Sequence, residues 1–418
     1  MNLGREAMVP GKVLVMSLCL LGALLWLAPA ARKSIQSRGH DTPIVVNTWA
    51  FTDATDAAWA MLASGNSKLS ALDAVEEGCS TCENMQCDLT VGFGGSPDEQ
   101  GQTTLDALIM DGTAMDVGAV TDLQYINDAI STARKVMRHS MHSSLGGLQA
   151  TNFAVEMGGQ LFNLSTEVSS KMYYDWKAAN CQPNFRKDVK PDPTKSCGPY
   201  KPLSGNELPG WTKEVAQGSQ GVDHAGSGPA QRSLAEAFPG RELLQHAWTG
   251  AVGDGMRRVS RRSHDTISMV AIDRHGNIAA GSSTNGASHK IPGRMSDSAV
   301  AGAGAYAETG VGGCGSTGDG DIHLRFLPCY QVVESMRQGM SPKHAAEDAI
   351  QRIIRHYPSY VGALVAVDYK GRHGAAAHGW KFEYAARSQS HNTTVFTVEP
   401  IGLPSRHERV LKHLLGSL

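Results

Sequence analysis

The segment Ser263-His264-Asp265-Thr266-Ile267-Ser268-Met269-Val270-Ala271-Ile272-Asp273 sets a threonine directly after an aspartate, at the head of an apolar, strand-like run. A threonine hydroxyl is a weak nucleophile until a base takes its proton. Cutting the chain between Asp265 and Thr266 supplies that base, because the freed α-amine has a reference pKa of about 7.7–8.0. The segment therefore points to a precursor activated by cleavage at this bond.

A nucleophile of this kind needs a hydroxyl neighbour, oxyanion donors and groups that fix the substrate. Thr284 ends a second apolar run after a short turn, and a hairpin would set its hydroxyl beside Thr266. Thr317 and Gly318, in a glycine-rich stretch, offer a hydroxyl and a backbone N–H for an oxyanion. Arg294 and Asp297 could clamp a carboxylate and an ammonium, the two charged groups on an amino acid's α-carbon. Each pattern also has a structural reading: short-spaced Arg–Asp pairs are commonly surface salt bridges, and glycine-rich stretches are commonly turns.

The elements that must position these residues read as follows. Residues 43–51 form a strand and its exit, and 52–62 and 70–83 are helices, with Asp53 and Ser70 as N-caps. Residues 91–97 are a glycine-rich loop without the lysine of a phosphate-binding loop. Residues 105–111 and 113–120 are strands; 122–139 is a long helix, followed by helices at 150–158 and 166–179. From about 201 to 263 the chain reads as a flexible linker with a short helix near Leu234 and Leu243–Trp248. Its closing arginines, 257–262, read as a protease site or a solvated charge run. Residues 267–272 and 278–284 are a hairpin, 292–320 is loop-rich, 322–336 and 341–356 are helices, and 361–368 and 375–377 are strands. Helices flanking strand pairs indicate an α/β protein.

The 418 residues carry a net charge of −2, so no global basic field supports nucleic-acid binding. Residues 1–31 combine Arg5 and Lys12, an apolar run from Val13 to Leu27 and Ala28-Pro-Ala-Ala31, which reads as a secretory signal or, uncleaved, a signal anchor. No later stretch is long and apolar enough to span a bilayer, so no membrane association is expected after signal removal. Cys82–Cys87 and Cys181–Cys197 are local pairs suited to disulfides in an oxidising lumen; Cys79-x-x-Cys82 is the alternative start of a metal site, without partners at zinc spacing. Cys314 and Cys329 could pair or stay free. Asn163 and Asn392 head glycosylation sequons.

The chain resembles the glycosylasparaginase branch of the N-terminal-nucleophile hydrolases. The resemblance rests on Val45-Val-Asn-Thr-Trp49, Val91-Gly-Phe-Gly-Gly-Ser-Pro-Asp-Glu99, Met115-Asp-Val-Gly-Ala119, Asn180-Cys-Gln-Pro-Asn184, Cys197-Gly-Pro-Tyr-Lys-Pro202, His264-Asp-Thr-Ile267, Ser283-Thr-Asn-Gly286, Gly302-Ala-Gly-Ala-Tyr306 and Arg325-Phe-Leu-Pro328. It implies a four-layer αββα sandwich and self-cleavage into an α-chain region (43–265) and a β-chain region (266–418), assembled as a dimer of αβ units. It further implies hydrolysis of the N-acetylglucosamine–asparagine amide, with no cofactor and no metal, in a lysosomal or secreted protein. The resemblance makes Thr266 the nucleophile and Thr284 its hydroxyl partner, with Thr317 and Gly318 as the oxyanion hole. Arg294 and Asp297 would hold the substrate's α-carboxylate and α-amine, Trp49 would line the pocket, and Thr90 would assist cleavage. The sequence departs from the pattern at Ser268, usually Gly, where a side chain is expected to crowd the nucleophile or strain the backbone. Thr90 stands for the usual Ser, and the linker is long. These departures leave a looser asparaginase or isoaspartyl peptidase, or an uncleaved binding protein, as alternatives.

Overall fold

The computed structural model describes residues 40–66, 69–207 and 266–402. Its elements in chain order are β1 (Ile44–Thr48), α1 (Thr52–Ala63), α2 (Ala71–Met85), β2 (Leu105–Asp111), β3 (Asp116–Leu123), α3 (Ala129–His139), β4 (Ser144–Gly146), α4 (Gly147–Glu156) and α5 (Glu167–Ala178). A short ribbon, β5 (Val189–Lys190) and β6 (Lys201–Pro202), follows. Then come β7 (Ile267–Ile272), β8 (Ile278–Thr284), β9 (Ala305–Glu308), β10 (Gly312–Gly318), α6 (Gly320–Phe326), α7 (Pro328–Arg337), α8 (Pro342–His356), β11 (Gly362–Asp368), β12 (His373–His378), β13 (Phe382–Ser388) and β14 (Thr394–Val398).

The strands make an eight-stranded sheet, ordered β14-β13-β1-β7-β8-β2-β3-β4, and a four-stranded sheet, β12-β11-β10-β9. All pairings in them are antiparallel except β3 with β4. Strand alternation distributes the side chains among three cores. Val45, Ile109, Met269 and Ala271 pack with Ala54, Val75 and Ile130 of helices α1, α2 and α3. Their strand neighbours Val46, Leu108, Val270 and Ala280 turn the other way, onto Ala305, Ala363, Val365 and Val367 of the second sheet. Leu364, Ala366 and Ala376 leave by that sheet's far face to meet Val333, Ala346, Ile350 and Ile353 of α7 and α8. The protein is α/β, as the sequence indicates, with the central strands β1, β7, β8, β10 and β11 buried on both faces.

Several sequence expectations need correction. The 122–139 helix begins only at Ala129, because β3 runs to Leu123 and Asp122 and Tyr125 take left-handed backbone. The loop-rich stretch 292–320 contains β9 and β10. Its glycines admit facing side chains: a Cβ at Gly313 would lie 2.5 Å from Val270 Cγ1 and one at Gly315 2.7 Å from Ser268 Cβ. The single helix at 322–336 is two, broken where Leu327 takes φ 49° ahead of Pro328. Strands β13 and β14 were not expected. Residues 201–207 are structured, through β6 and the Lys190–Glu207 ion pair at 3.0 Å. The signal, the rest of the linker with its short helix and arginines, and Asp265 lie outside the described residues.

Both expected disulfides are present, Cys82–Cys87 and Cys181–Cys197. Cys82 is thereby lost to the zinc alternative, and Cys79 is a buried free thiol. Cys314 and Cys329 are buried free thiols with their sulfurs 2.9 Å apart. Asn163 and Asn392 are both exposed. Among the described residues, no helix is long and apolar enough to cross a membrane.

Candidate functional site

Strands β7 and β8 are joined by the tight turn Asp273–Asn277, in which Asp273 accepts from the backbone N–H groups of His275 and Asn277. The register pairs Ile267 with Ser283, so one further step sets Thr266 opposite Thr284. Thr266 is 5% exposed. Its carbonyl accepts from the Thr48 hydroxyl at 2.6 Å, and that same hydroxyl accepts from Ser268 N–H at 2.9 Å. The end of β1 therefore fixes the first turn of chain after the nucleophile candidate.

The Thr266 nitrogen donates to Thr317 Oγ at 3.1 Å, and Trp49 Nε1 donates to the same oxygen at 3.0 Å. Trp49 holds left-handed backbone (φ 64°) and is wedged edge-on against Trp380 and Phe382. A bulky residue in that conformation is strained and persists only where its surroundings over-determine it. Gly318 has φ 122°, and a Cβ there would sit 2.5 Å from Gly362 Cα, so only glycine closes β10 against β11 at this point.

The remaining predicted residues complete a circuit around this centre. Thr284 Oγ donates to Thr90 O at 3.1 Å and accepts from Gly286 N–H at 3.0 Å. Its expected approach to Thr266 is thus by register, while its hydrogen bonds run to the Thr90 carbonyl and the Gly286 N–H. Thr90 contributes through its carbonyl; its own hydroxyl donates back to Cys87 O at 3.3 Å. Beyond Gly286 lies Arg294, whose Nη1 would be 3.3 Å from a Cβ at that glycine. Across Gly320, Arg294 Nη2 faces Asp297: a Cβ at Gly320 would lie 3.2 Å from Nη2 and 2.3 Å from Asp297 Oδ1. Asp297 Oδ2 in turn accepts from Ser316 Oγ at 3.0 Å, one residue before Thr317. All the sequence-predicted groups from 266 onward are thereby brought to one place.

Both charges in the circuit are maintained in a buried setting. Burial disfavours the Arg294 cation, but Asp321, bonded to its Nη2 at 2.9 Å, together with Asp106 and Asp297, more than offsets this and raises its pKa. Burial likewise opposes the Asp297 carboxylate, yet His323, Arg294 and Ser316 hold its carboxyl below the usual range. A fixed cation and a fixed anion a few ångströms apart can bind a carboxylate and an ammonium together.

Sequence reasoning missed the supports. Asp106 on β2 accepts from Ser296 N–H at 2.8 Å, ahead of Asp297, and from Thr121 Oγ and Asp122 N–H. Lys290 is buried and donates to Asn285 O at 2.7 Å, bracing the chain between Thr284 and Gly286; burial pulls its pKa down to about 8 against the pull of Asp106. Their partners are remote in sequence, so no spacing announces them. Ser268, expected to crowd the nucleophile, has ordinary strand geometry and packs onto Gly315, which lacks a side chain. Its hydroxyl meets Ser316 O at 2.7 Å and Ser282 Oγ at 2.9 Å.

The asparaginase family model matches residues 25–397. A protein of Arabidopsis thaliana named "Probable isoaspartyl peptidase/L-asparaginase 3" is 46% identical over 391 residues, covering 93% of this chain and 98% of its own length. The mouse and rat proteins named N(4)-(beta-N-acetylglucosaminyl)-L-asparaginase are 47% and 46% identical over 354 and 357 residues, 84% of this chain and 89% and 90% of theirs. With the matched segment running from ahead of β1 to β14, and so through every strand of the circuit, the chain belongs to the asparaginase family.

Proposed function

We propose that this protein is a glycosylasparaginase: a self-cleaving hydrolase of the amide between N-acetylglucosamine and an asparagine side chain. The observation that carries the reading is the Thr266 nitrogen held 3.1 Å from Thr317 Oγ, opposite Thr284 and within the Arg294–Asp297 circuit. The names of the mouse and rat relatives support the substrate. The three apolar cores fit a four-layer αββα sandwich of the N-terminal-nucleophile type.

In the precursor, Thr266 Oγ attacks the Asp265 carbonyl and the Thr266 nitrogen leaves, an N-to-O acyl shift that water completes by opening the ester. Thr90 assists this step. The α-amine so released takes the proton of Thr266 Oγ in turnover. Thr266 Oγ then attacks the substrate's amide carbon, with charge on the carbonyl oxygen met by Thr317 and Gly318 and the attacking hydroxyl tuned by Thr284. The glycosylamine departs with a proton, and water hydrolyses the aspartyl ester. Arg294 takes the substrate's α-carboxylate, Asp297 its α-ammonium, and Trp49 walls the pocket. No cofactor or metal takes part.

The secretory features fit a lysosomal or secreted enzyme working as a dimer of αβ units on small glycosylasparagines. The test is purification with N-terminal sequencing, followed by assays on aspartylglucosamine, asparagine and β-aspartyl dipeptides. A β-chain beginning at Thr266 and preference for aspartylglucosamine are expected. Hydrolysis of only the other two substrates would reassign it as an asparaginase or isoaspartyl peptidase. An intact, inactive chain would make it a binding protein.

A further inference from the structure

The two oxygens of Asp297 have different surroundings. Oδ2 takes the Ser316 hydroxyl at 3.0 Å and His323 Nδ1 at 2.7 Å. Oδ1 receives no hydrogen bond from the described residues and looks across Gly320 toward Arg294. His323 is fully buried on α6, and its other nitrogen, Nε2, lies 2.6 Å from the Tyr360 hydroxyl.

These contacts place a hydrogen on Nδ1. An ionised carboxylate only accepts, so His323 Nδ1 must carry a hydrogen. Nε2 shares a second hydrogen bond with the Tyr360 hydroxyl, so the ring is tied at both nitrogens. Burial pushes the Tyr360 pKa up, which keeps its hydroxyl protonated. Tyr360 itself reaches Nε2 past Gly362, where a Cβ would lie 2.2 Å from the hydroxyl oxygen. The titratable groups around this relay include Asp297 and Arg294 from the loop ahead of β9, Asp319 and Asp321 at the head of α6, the thiols Cys314 and Cys329, and His378 of β12, stacked on the Tyr360 ring. Arg294 is turned to Asp321.

We propose that His323, braced by Tyr360, is a positioning residue that anchors Asp297 through Oδ2 and so presents Oδ1 to the substrate's α-ammonium. This rests on the role proposed above for Asp297. The ring is rigid and held at both nitrogens, so the carboxylate is oriented before substrate arrives. Ser316 alone would hold it less firmly, since its hydroxyl also lies 2.9 Å from Ala303 O.

The test compares aspartylglucosamine with its des-amino analogue, which keeps the carboxylate and the scissile amide but lacks the α-ammonium. His323→Leu should raise KM for aspartylglucosamine on the order of 10- to 100-fold, the worth of one charge-assisted contact, with kcat changed about threefold or less. It should leave kcat/KM for the analogue nearly unchanged. His323→Asn, which restores an N–H near Nδ1, should recover most of the loss. Tyr360→Phe should raise the same KM by a smaller factor; if the leucine variant does not fold, Tyr360→Phe and His323→Asn decide the matter. Equal losses on both substrates, or none on either, would overturn the inference. Asp297→Asn separates the two readings. If it fails to discriminate the substrates, the role of Asp297 is wrong; if it discriminates and His323→Leu and Tyr360→Phe do not, only the role of His323 is.

Discussion

Gly320→Ala adds one methyl group at the point where Arg294 and Asp297 meet. The new Cβ would fall 2.3 Å from Asp297 Oδ1, 3.0 Å from its Cγ and 3.2 Å from Arg294 Nη2. An ordinary contact needs about 3.4 Å or more, so the carboxylate must retreat by roughly 1 Å. It cannot swing freely, because His323 and Ser316 hold Oδ2. A misplacement of that size at a group proposed to fix the substrate would cost on the order of 10²-fold. The backbone offers no objection: Gly320 opens α6 without positive φ, so alanine can adopt its conformation. The variant should therefore melt at or near the wild-type temperature and release a β-chain starting at Thr266. Its kcat/KM on aspartylglucosamine should fall about 100-fold, mainly through KM. Steady-state kinetics and a thermal melt suffice. A kcat/KM within threefold of wild type in a correctly processed protein would refute the placement of substrate between Arg294 and Asp297.

Thr317→Val removes the oxygen shared by the Thr266 nitrogen and Trp49 Nε1, and kcat should drop on the order of 10²- to 10³-fold with folding retained. Gly315→Ala should impair processing by pressing on Ser268, and adding Ser268→Gly should restore it; additive losses in that double-mutant cycle would show that the two positions do not touch. Burial lifts the Glu83 carboxyl to about 8, so the folded state holds a proton that the unfolded chain releases near 4.5; the associated stability is complete below 4.5 and is lost as pH rises through 8. The melting temperature should accordingly fall across that window, and Glu83→Gln should flatten the slope. Cys181→Ser with Cys197→Ser opens a disulfide of sequence separation 16 and should cost about 3 kcal/mol in chemical denaturation, without changing the N-terminus of the β-chain.

What could be read from the sequence was what neighbours along the chain decide. The β7–β8 hairpin declared itself because alternation and a polar turn lie within eighteen residues, and its register followed. The capped start of α2 was legible for the same reason: Ser70 and Asp73 form a capping box. Strand β10 was not legible, because its glycines answer to Ser268 and Val270 on another sheet, and alone they read as a loop. The 122–139 helix was misread at its start because Leu123 and Ile126 sit at helical spacing from later apolar residues, while the Asp106 carboxylate binds Thr121 and Asp122 and holds them in β3. Thr48, Asp106 and His323 escaped for one reason: their partners are 218, 190 and 26 residues away.

Ser268 shows why a departure from a family pattern has to be judged with the strand it faces. Taken alone, a side chain in place of glycine beside a nucleophile threatens crowding. In the folded protein its Cβ points to Gly315, so the volume added on β7 is matched by volume missing on β10. The hydroxyl then requires partners, since a buried polar group left unpaired costs about 1–3 kcal/mol. It finds them in Ser282 Oγ, Ser316 O and Gly304 O, and Ser282 passes the chain on to Ser298 at 3.0 Å. Ser316 links that seam to Asp297, and Asp297 to His323 and Tyr360. Strand β7, which follows directly on Thr266, is thus tied, through a row of satisfied hydroxyls between the two sheets, to the carboxylate proposed to hold the substrate. A glycine at 268 would leave the Ser316 carbonyl without this donor, so the serine ties the strand leading from Thr266 to the residue before Thr317.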